Sequence, residues 1–145
     1  MSQWTHVCGC IRIDCFSHDN MKEKVQKALG KTLMWESPAE MWDEVDNHPD
    51  RFTPTGSEGG VEYDIWENPN DCHIAAYTVS IWGDLRDYSS VDEITNWFNK
   101  VLYDSNLIIR DAVLSIDVEY RSKVILAYDD EANKCKIIKI EEETK

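Results

Sequence analysis

The stretch 73–102 constrains the fold of this chain more than any other. Its first part alternates polar and apolar residues, which predicts a strand with one buried face, formed by Tyr77, Val79 and Ile81. Turn formers in 83–89 predict the end of that strand. Ser90 and Glu93 then have the spacing of a capping box. Apolar residues follow at helical intervals and predict a helix over 90–102, with one face formed by Ile94, Trp97, Phe98, Val101 and Leu102. A one-sided strand followed by an amphipathic helix is typical of a two-layer α+β domain.

Similar patterns predict the remaining elements. In chain order they are a strand at 4–15, a helix at 21–29, a short helix at about 38–45, and strands at 61–66, 107–120, 123–128 and 135–140. The order matches the β-α-β-β-α-β ferredoxin-like pattern with an added C-terminal hairpin. We therefore predict an α+β fold with a ferredoxin-like core. Its antiparallel sheet would carry the two main helices on one face and leave the other face open.

The length favours one domain. A chain of 145 residues can bury a core of its own, so we predict a single α+β domain over 1–145. Residues 31–60 form an irregular insert that contains a long loop rich in Pro and Gly. Loops of this length are uncommon inside compact domains, and many are functional. The final residues, 141–145, predict a charged and frayed tail.

The net charge restricts the partners. With 28 acidic and 15 basic residues, the formal charge is −13. Such a chain is repelled by nucleic acid and by anionic membranes, because both require a positive surface. It can instead occupy a basic groove on another protein, where opposite potentials speed the encounter. The alternative is that the charge serves only to keep the protein in solution.

Cysteine usage and the N-terminal segment indicate a cytosolic protein with reduced thiols. There are five cysteines, an odd number, and residues 1–6 lack the basic and apolar regions of a signal peptide. No apolar run approaches the length of a membrane span. His6, Cys8 and Cys10, together with Cys72 and His73, could supply soft ligands for zinc. Alternate strand residues stand roughly 7 Å apart along the chain, unlike the tight loops of structural zinc sites, so we predict no metal.

The sequence gives no sign of catalysis. Cys15 and His18 form a local pair without a third member, whereas nucleophile, base and orienting group are assembled in space. Pairs of carboxylates are frequent, but in so acidic a chain they arise by chance. We therefore predict a protein that is not an enzyme and that has no cofactor.

The open sheet face is the predicted binding surface. Tryptophan among carboxylates there resembles the aromatic stacking surface of RNA-binding sheets, but the charge has the wrong sign for phosphates. It suits a basic protein partner, with tryptophan as the anchor. The alternative is that the 31–60 insert covers this face. The residues predicted to contact a partner are Trp66, Trp82, Asp84, Asp87, Tyr88, Asp117 and Glu119.

Two segments allow alternative interpretations. In 83–89, Arg86 either forms a local ion pair with Asp84 or Asp87 or belongs to a contact surface, while Tyr88 is predicted to be a contact residue. The loop at 56–60 could cradle a phosphate through the backbone of Gly56, Ser57, Gly59 and Gly60, which makes a nucleotide-binding protein the alternative function. It lacks the Gly-Lys-Ser/Thr of a P-loop and precedes a strand, so a flexible turn is the competing interpretation.

Four stretches carry a resemblance: WTHV at 4–7, GSEG at 56–59, WENP at 66–69 and YTVSIWGDLRDY at 77–88. They resemble small acidic proteins of unassigned function from phages and prophages of Gram-positive bacteria. The resemblance covers most of the chain outside the insert and brings no catalytic motif. It implies a phage accessory protein in the bacterial cytoplasm that inhibits a host defence protein, as anti-CRISPR proteins do. The implied partner is a host protein with a basic surface, such as a nucleic-acid-binding defence protein.

Overall fold

The computed structural model describes residues 2–15, 20–33, 37–67, 77–88 and 90–142. The strands are β1 (Trp4–Asp14), β2 (Glu62–Glu67), β3 (Tyr77–Arg86), β4 (Ile108–Val118), β5 (Ser122–Ala127) and β6 (Lys136–Glu142). The helices are α1 (Met21–Leu29), α2 (Ala39–Asn47) and α3 (Val91–Tyr103), with a single 3₁₀ turn at Pro49–Arg51. The α+β class is therefore confirmed.

Within the described residues, the strands form one six-stranded sheet in the order β2-β3-β1-β4-β5-β6. Every neighbouring pair is antiparallel. Strand β1 is central, between β3 and β4, and β2 and β6 are the two edges. The hairpin of β5 and β6 extends the sheet beyond β4, as the sequence predicted. That 1–145 forms one domain stays a prediction.

The core lies between one face of the sheet and the helices. The predicted inward residues of β1 are buried, and they share one apolar cluster with α1 and α3, which includes Val7, Ile11, Ile13, Val25, Ile94 and Phe98. Helix α1 begins after Asn20 and ends at Gly30, as predicted. Trp97 is half-buried against the core, and its indole Nε1–H donates to the carbonyl of Leu29 at 2.8 Å. The opposite sheet face is free of these helices, and we call it the open face.

Strand β3 is longer than predicted. The prediction that it ends before Gly83 was wrong, because 83–86 continue the pairing with β1 up to Arg86 opposite Trp4. Leu85 is fully buried, so the alternation of the strand persists through the turn formers. Gly83 has a packing reason: a β-carbon there would lie 2.6 Å from the carbonyl oxygen of Gly60.

The insert contains more regular structure than expected. The short helix predicted at about 38–45 exists as α2, but Trp42 is 37% exposed instead of pointing inward. Residues after α2 return toward the core, where Phe52 and Thr53 are buried. Thr53 Oγ1 donates to the carbonyl of Val61 at 2.7 Å. The described part of the insert thereby packs on the helix side of the sheet.

Two further boundary predictions were wrong. Tyr120 does not share the buried face of β4, because the strand ends at Val118 and Tyr120 adopts a left-handed φ of 65° with 50% exposure. Glu141 and Glu142 are the last residues of β6 and not part of a frayed tail. Outside the described residues lie His18, Cys72, His73, the segment 68–71 between two predicted strands, and the tail at 143–145.

Candidate functional site

The sheet register arranges the side chains of the open face in rows across the strands. One row crosses five strands and consists of Glu62, Trp82, Cys8, Ser115 and Ile125. Trp82, at its second position, is 43% exposed. Ser80, Cys8 and Arg12 of this face are exposed as well. The described residues of the 31–60 insert therefore do not cover the open face. For that part of the chain, the alternative that the insert covers this face is wrong.

A second row ends at the edge of the sheet. It consists of Trp66, Thr78, Arg12 and Asp111, which lie opposite one another on four strands. Trp66 is 64% exposed, the largest exposed fraction among the large apolar side chains of the described residues. Acidic residues Glu62 and Asp64 precede it on the same side of β2. Both predicted tryptophan anchors thus lie on the open face beside carboxylates.

Three predicted contact residues of the open face meet around one histidine. Asp84 and Asp117 lie opposite His6 on the two neighbouring strands. The His6 ring is bound on both sides, with Nδ1 at 2.5 Å from Asp84 Oδ1 and Nε2 at 2.8 Å from Glu119 Oε2. Glu119 also accepts a hydrogen bond from the Trp4 N–H at 3.0 Å. We call His6, Asp84, Asp117 and Glu119 the acidic cluster.

The geometry of the acidic cluster favours the protonated form of His6. Hydrogen bonds to Asp84 and then to Glu119 raise the pKa of His6 above its usual 6.5, and the small degree of burial opposes this only in part. The hydrogen bond from His6, followed by that from the Trp4 N–H, lowers the pKa of Glu119 below its usual 4.5. An imidazolium between two carboxylates neutralises part of a cluster that would otherwise repel itself.

This arrangement gives stability a pH dependence with a defined sign. The contribution of His6 requires its proton, so it is full below pH 6.5 and is lost as the pH rises through the raised pKa. The contribution of Glu119 requires its charge, so it is full above pH 4.5 and is lost as the pH falls through the lowered pKa. We expect His6→Gln to destabilise the protein at about pH 5.5 and to have less effect at about pH 9. Urea unfolding at both pH values measures this.

The matched control is His48→Gln, which changes an exposed histidine at the end of α2. The effect of His6→Gln should be modest, because exposed charged pairs are screened by water. If His6→Gln lost the same stability at both pH values, the His6 ring would stabilise the protein by packing and not through hydrogen bonds that depend on its protonation.

Arg86 makes the predicted local ion pair with Asp87 and also contacts Glu58 and Ser2. Its guanidinium bonds Glu58 Oε1 at 3.0 Å and the Ser2 hydroxyl at 2.8 Å. It also lies 3.7 Å from Asp87 Oδ2, so the pairing with Asp87 is confirmed. The pairing with Asp84 was wrong, because that carboxylate faces His6. Arg86 thus ties the end of β3 to the 56–60 loop.

Tyr88 lies apart from the open face. It is half-buried against the core, and its carbonyl accepts a hydrogen bond from the buried Thr5 hydroxyl. Its own hydroxyl donates to Glu93 Oε2 of α3 at 2.6 Å. Burial, followed by the contact with Glu93, raises the pKa of Tyr88. The structure therefore places Tyr88 beside α3, in the wall of a cavity of ≈ 470 Å³ between α3 and the insert.

The glycines of the 56–60 loop have a packing explanation. The Gly56 N–H donates to Gly59, the Ser57 N–H donates to the carbonyl of Arg86, and the Arg86 N–H donates to Glu58, at distances of 2.9, 3.1 and 2.9 Å. A β-carbon on Gly56 would lie 2.7 Å from the Arg86 carbonyl oxygen. Two of the N–H groups proposed for a phosphate are thus used inside the protein, and the loop is pinned to β3.

Metal binding finds no support in the described residues. Cys8, Cys10 and Cys135 are free thiols, and the first two lie on the open face. Within those residues, no group of three or more His, Cys, Asp or Glu side chains is arranged to hold a metal ion. The part of the chain that the structure describes also contains no helix long and apolar enough to cross a membrane.

No protein-family model matches the chain, and no curated protein and no solved structure matches it.

The acidic cluster was the part of the site that the sequence grouped incorrectly. His6 was considered with Cys8 and Cys10, because the three share one strand face. Its actual partners lie 78 and 113 residues away along the chain, at Asp84 and Glu119. The register of β1 between β3 and β4 brings them together, and the predicted strand order contained the only signal that could have suggested it.

Proposed function

We propose that this chain is a non-enzymatic binding protein whose open face holds a basic surface of another protein. The observation that carries the proposal is a pair of exposed tryptophans on the open face, Trp82 close to Asp84 of the acidic cluster and Trp66 close to Asp64 on β2. Exposed tryptophan is costly in water and is enriched among the residues that dominate binding energy. Carboxylates around it orient a basic partner and repel acidic ones.

The resemblance to phage proteins supports a more specific version. We propose a phage-encoded inhibitor that acts in the cytoplasm of the bacterial host and binds a nucleic-acid-binding defence protein in the manner of anti-CRISPR proteins. A basic groove that receives phosphates is complementary to a face with excess carboxylates. The same charge of −13 disfavours direct binding of nucleic acid and of anionic membranes.

We also propose that the first four strands form a ferredoxin-like core. Their order, β2-β3-β1-β4, together with α1 before β2 and α3 before β4, supports this description. In that arrangement helices occupy one sheet face, and RNA-binding members use the other face as a platform. Here an acidic platform would serve a protein ligand.

Replacing the tryptophan anchors tests the proposal. We expect Trp82→Ala and Trp66→Ala each to weaken capture of a basic, nucleic-acid-binding protein from bacterial lysate by about tenfold or more, as interface anchors do. Trp42→Ala is the matched control, because Trp42 is exposed on α2 and away from the open face. Quantitative mass spectrometry of the captured proteins measures the effect.

Charge reversal tests the electrostatic part. Asp117→Lys and Asp87→Lys should weaken the same complex and reduce its salt dependence, because each removes attraction to a basic partner. Captured proteins that are unchanged by the tryptophan and charge substitutions alike would show that the open face is not the binding surface.

A cavity supports the second candidate, a nucleotide-binding protein. Ser57 and Gly59 line a space of ≈ 320 Å³ together with Leu33 and Trp42, whose exposed ring could stack on a base. Glu58 lies in the same wall and repels phosphate. A thermal-shift panel of nucleotides tests this function, and a shift that disappears in Trp42→Ala would favour it over the protein-binding function.

A further inference from the structure

Among the described residues, β2 is an edge strand with β3 as its one neighbour in the sheet. All residues from Glu62 to Glu67 pair with β3 in an unbroken register. No other backbone group in the described part of the chain hydrogen-bonds to the backbone of 62–66. Alternate N–H and C=O groups of an edge strand point away from the sheet, so this edge is a template for strand addition.

The side chains of β2 select what kind of strand can join it. Glu62 and Asp64 repel an acidic neighbour, and a second copy pairing along the same edge would bring these carboxylates against their equivalents. Charges of this kind commonly protect an edge from pairing. Protection of the edge from pairing does not explain why Trp66, on the same strand, is 64% exposed. An apolar anchor next to carboxylates fits a basic strand with apolar residues.

The opposite edge has other properties. The pairing of β6 with β5 shifts register between Lys123 and Val124, and such irregularities interrupt an edge. The strand also begins with Lys136, which repels a basic segment. The two edges of the sheet therefore differ in both regularity and charge, and β2 is the regular and acidic one.

We propose that β2 binds a basic, extended segment of the partner protein as a seventh strand of the sheet. The inference rests on the proposed function, since it names how the basic partner docks. Strands in a sheet lie about 4.7–4.9 Å apart, and directly opposite side chains about 4.5–5.5 Å apart. Lys or Arg residues of the added strand then face Glu62 and Asp64, and an apolar residue covers Trp66. Backbone hydrogen bonds supply affinity, and the acidic row supplies specificity.

A synthetic peptide tests the strand addition. The probe is an acetylated, amidated peptide of alternating Lys and Val, compared with one version N-methylated at every Lys and one N-methylated at every Val. Only alternate N–H groups of an added strand face the sheet. We expect one methylated peptide to lose about tenfold or more in affinity and the other to retain it, which corresponds to about 1.4 kcal/mol between them. Equal affinity of both methylated peptides and the parent overturns the proposal.

Substitutions in the protein separate this inference from the proposed function. Asp64→Lys should weaken binding of the unmethylated parent peptide by about tenfold. Asp50→Lys makes the same charge change on the insert and should leave this binding unchanged. If peptide binding depends on Trp82 but not on Asp64 or the methylation pattern, the open face binds the partner and strand addition is wrong. If binding is insensitive to Trp82→Ala and to Asp64→Lys, both proposals are wrong.

Discussion

Phe98→Ala is expected to lower the free energy of unfolding by about 3–5 kcal/mol. Phe98 is the largest of the fully buried side chains among the described residues. It lies on the inward stripe of α3 and packs in the same cluster as the strands of the sheet. Truncation leaves a cavity that the sheet cannot fill, because its strands are fixed by hydrogen bonds to their neighbours on both sides.

Thermal and urea unfolding measure this effect, and the melting temperature should fall by roughly 10 °C. The matched control is Asn96→Ala, which truncates an exposed side chain on the same helix and should change stability by less than about 0.5 kcal/mol. A loss as small as that in Phe98→Ala would mean that α3 does not hold the helix layer on the sheet.

The secondary structure could be predicted well where local patterns agreed with packing. The alternation in β1 and the helical spacing in α3 each identified a buried face that the structure confirms. The Ser90 cap was also visible, and its hydroxyl accepts from the Glu93 N–H at 3.4 Å. The Glu93 carboxylate accepts a hydrogen bond from the Tyr88 hydroxyl.

The errors arose where a distant contact overrides local preference. Turn formers at 83–84 suggested a strand end, yet pairing with β1 continues to Arg86 because the 56–60 loop supports the other side of β3. Tyr88 lies on the α3 side of the sheet and not on the open face, because β3 runs four residues further than expected before the chain turns. Its role as a contact residue stays a prediction.

The same distinction applies to the binding surface. Alternation alone placed Trp66, Trp82 and Asp117 on one face, since that requires only the strand period. The pairing of His6 with Asp84 and Glu119 needs the register of three strands, which no single segment encodes. Local patterns therefore predicted which side chains are on the surface, and long-range pairing decided which of them meet.

Gly59 packs against a residue of the acidic cluster, so a substitution there should affect both stability and the candidate site. Gly59 has a φ of 70°, a conformation that costs other residues about 1–2 kcal/mol. A β-carbon there would also overlap the carbonyl oxygen of Asp84, a residue of the acidic cluster. We expect Gly59→Ala to destabilise the protein by about 2–4 kcal/mol, because the loop must leave β3 and break its hydrogen bonds to Arg86.

Glu58→Ala is the matched control for this substitution, because it removes an exposed ion pair with Arg86 that is worth at most about 1 kcal/mol. Unfolding in urea without any ligand measures both variants. If Gly59→Ala is as stable as the parent, the glycine is not required for packing, and a role in ligand binding becomes its remaining explanation. If stability falls as expected, the new methyl group should also displace the Asp84 backbone and thereby weaken partner binding. The 56–60 loop would then hold the end of β3 and Asp84 in place, without itself contacting the partner.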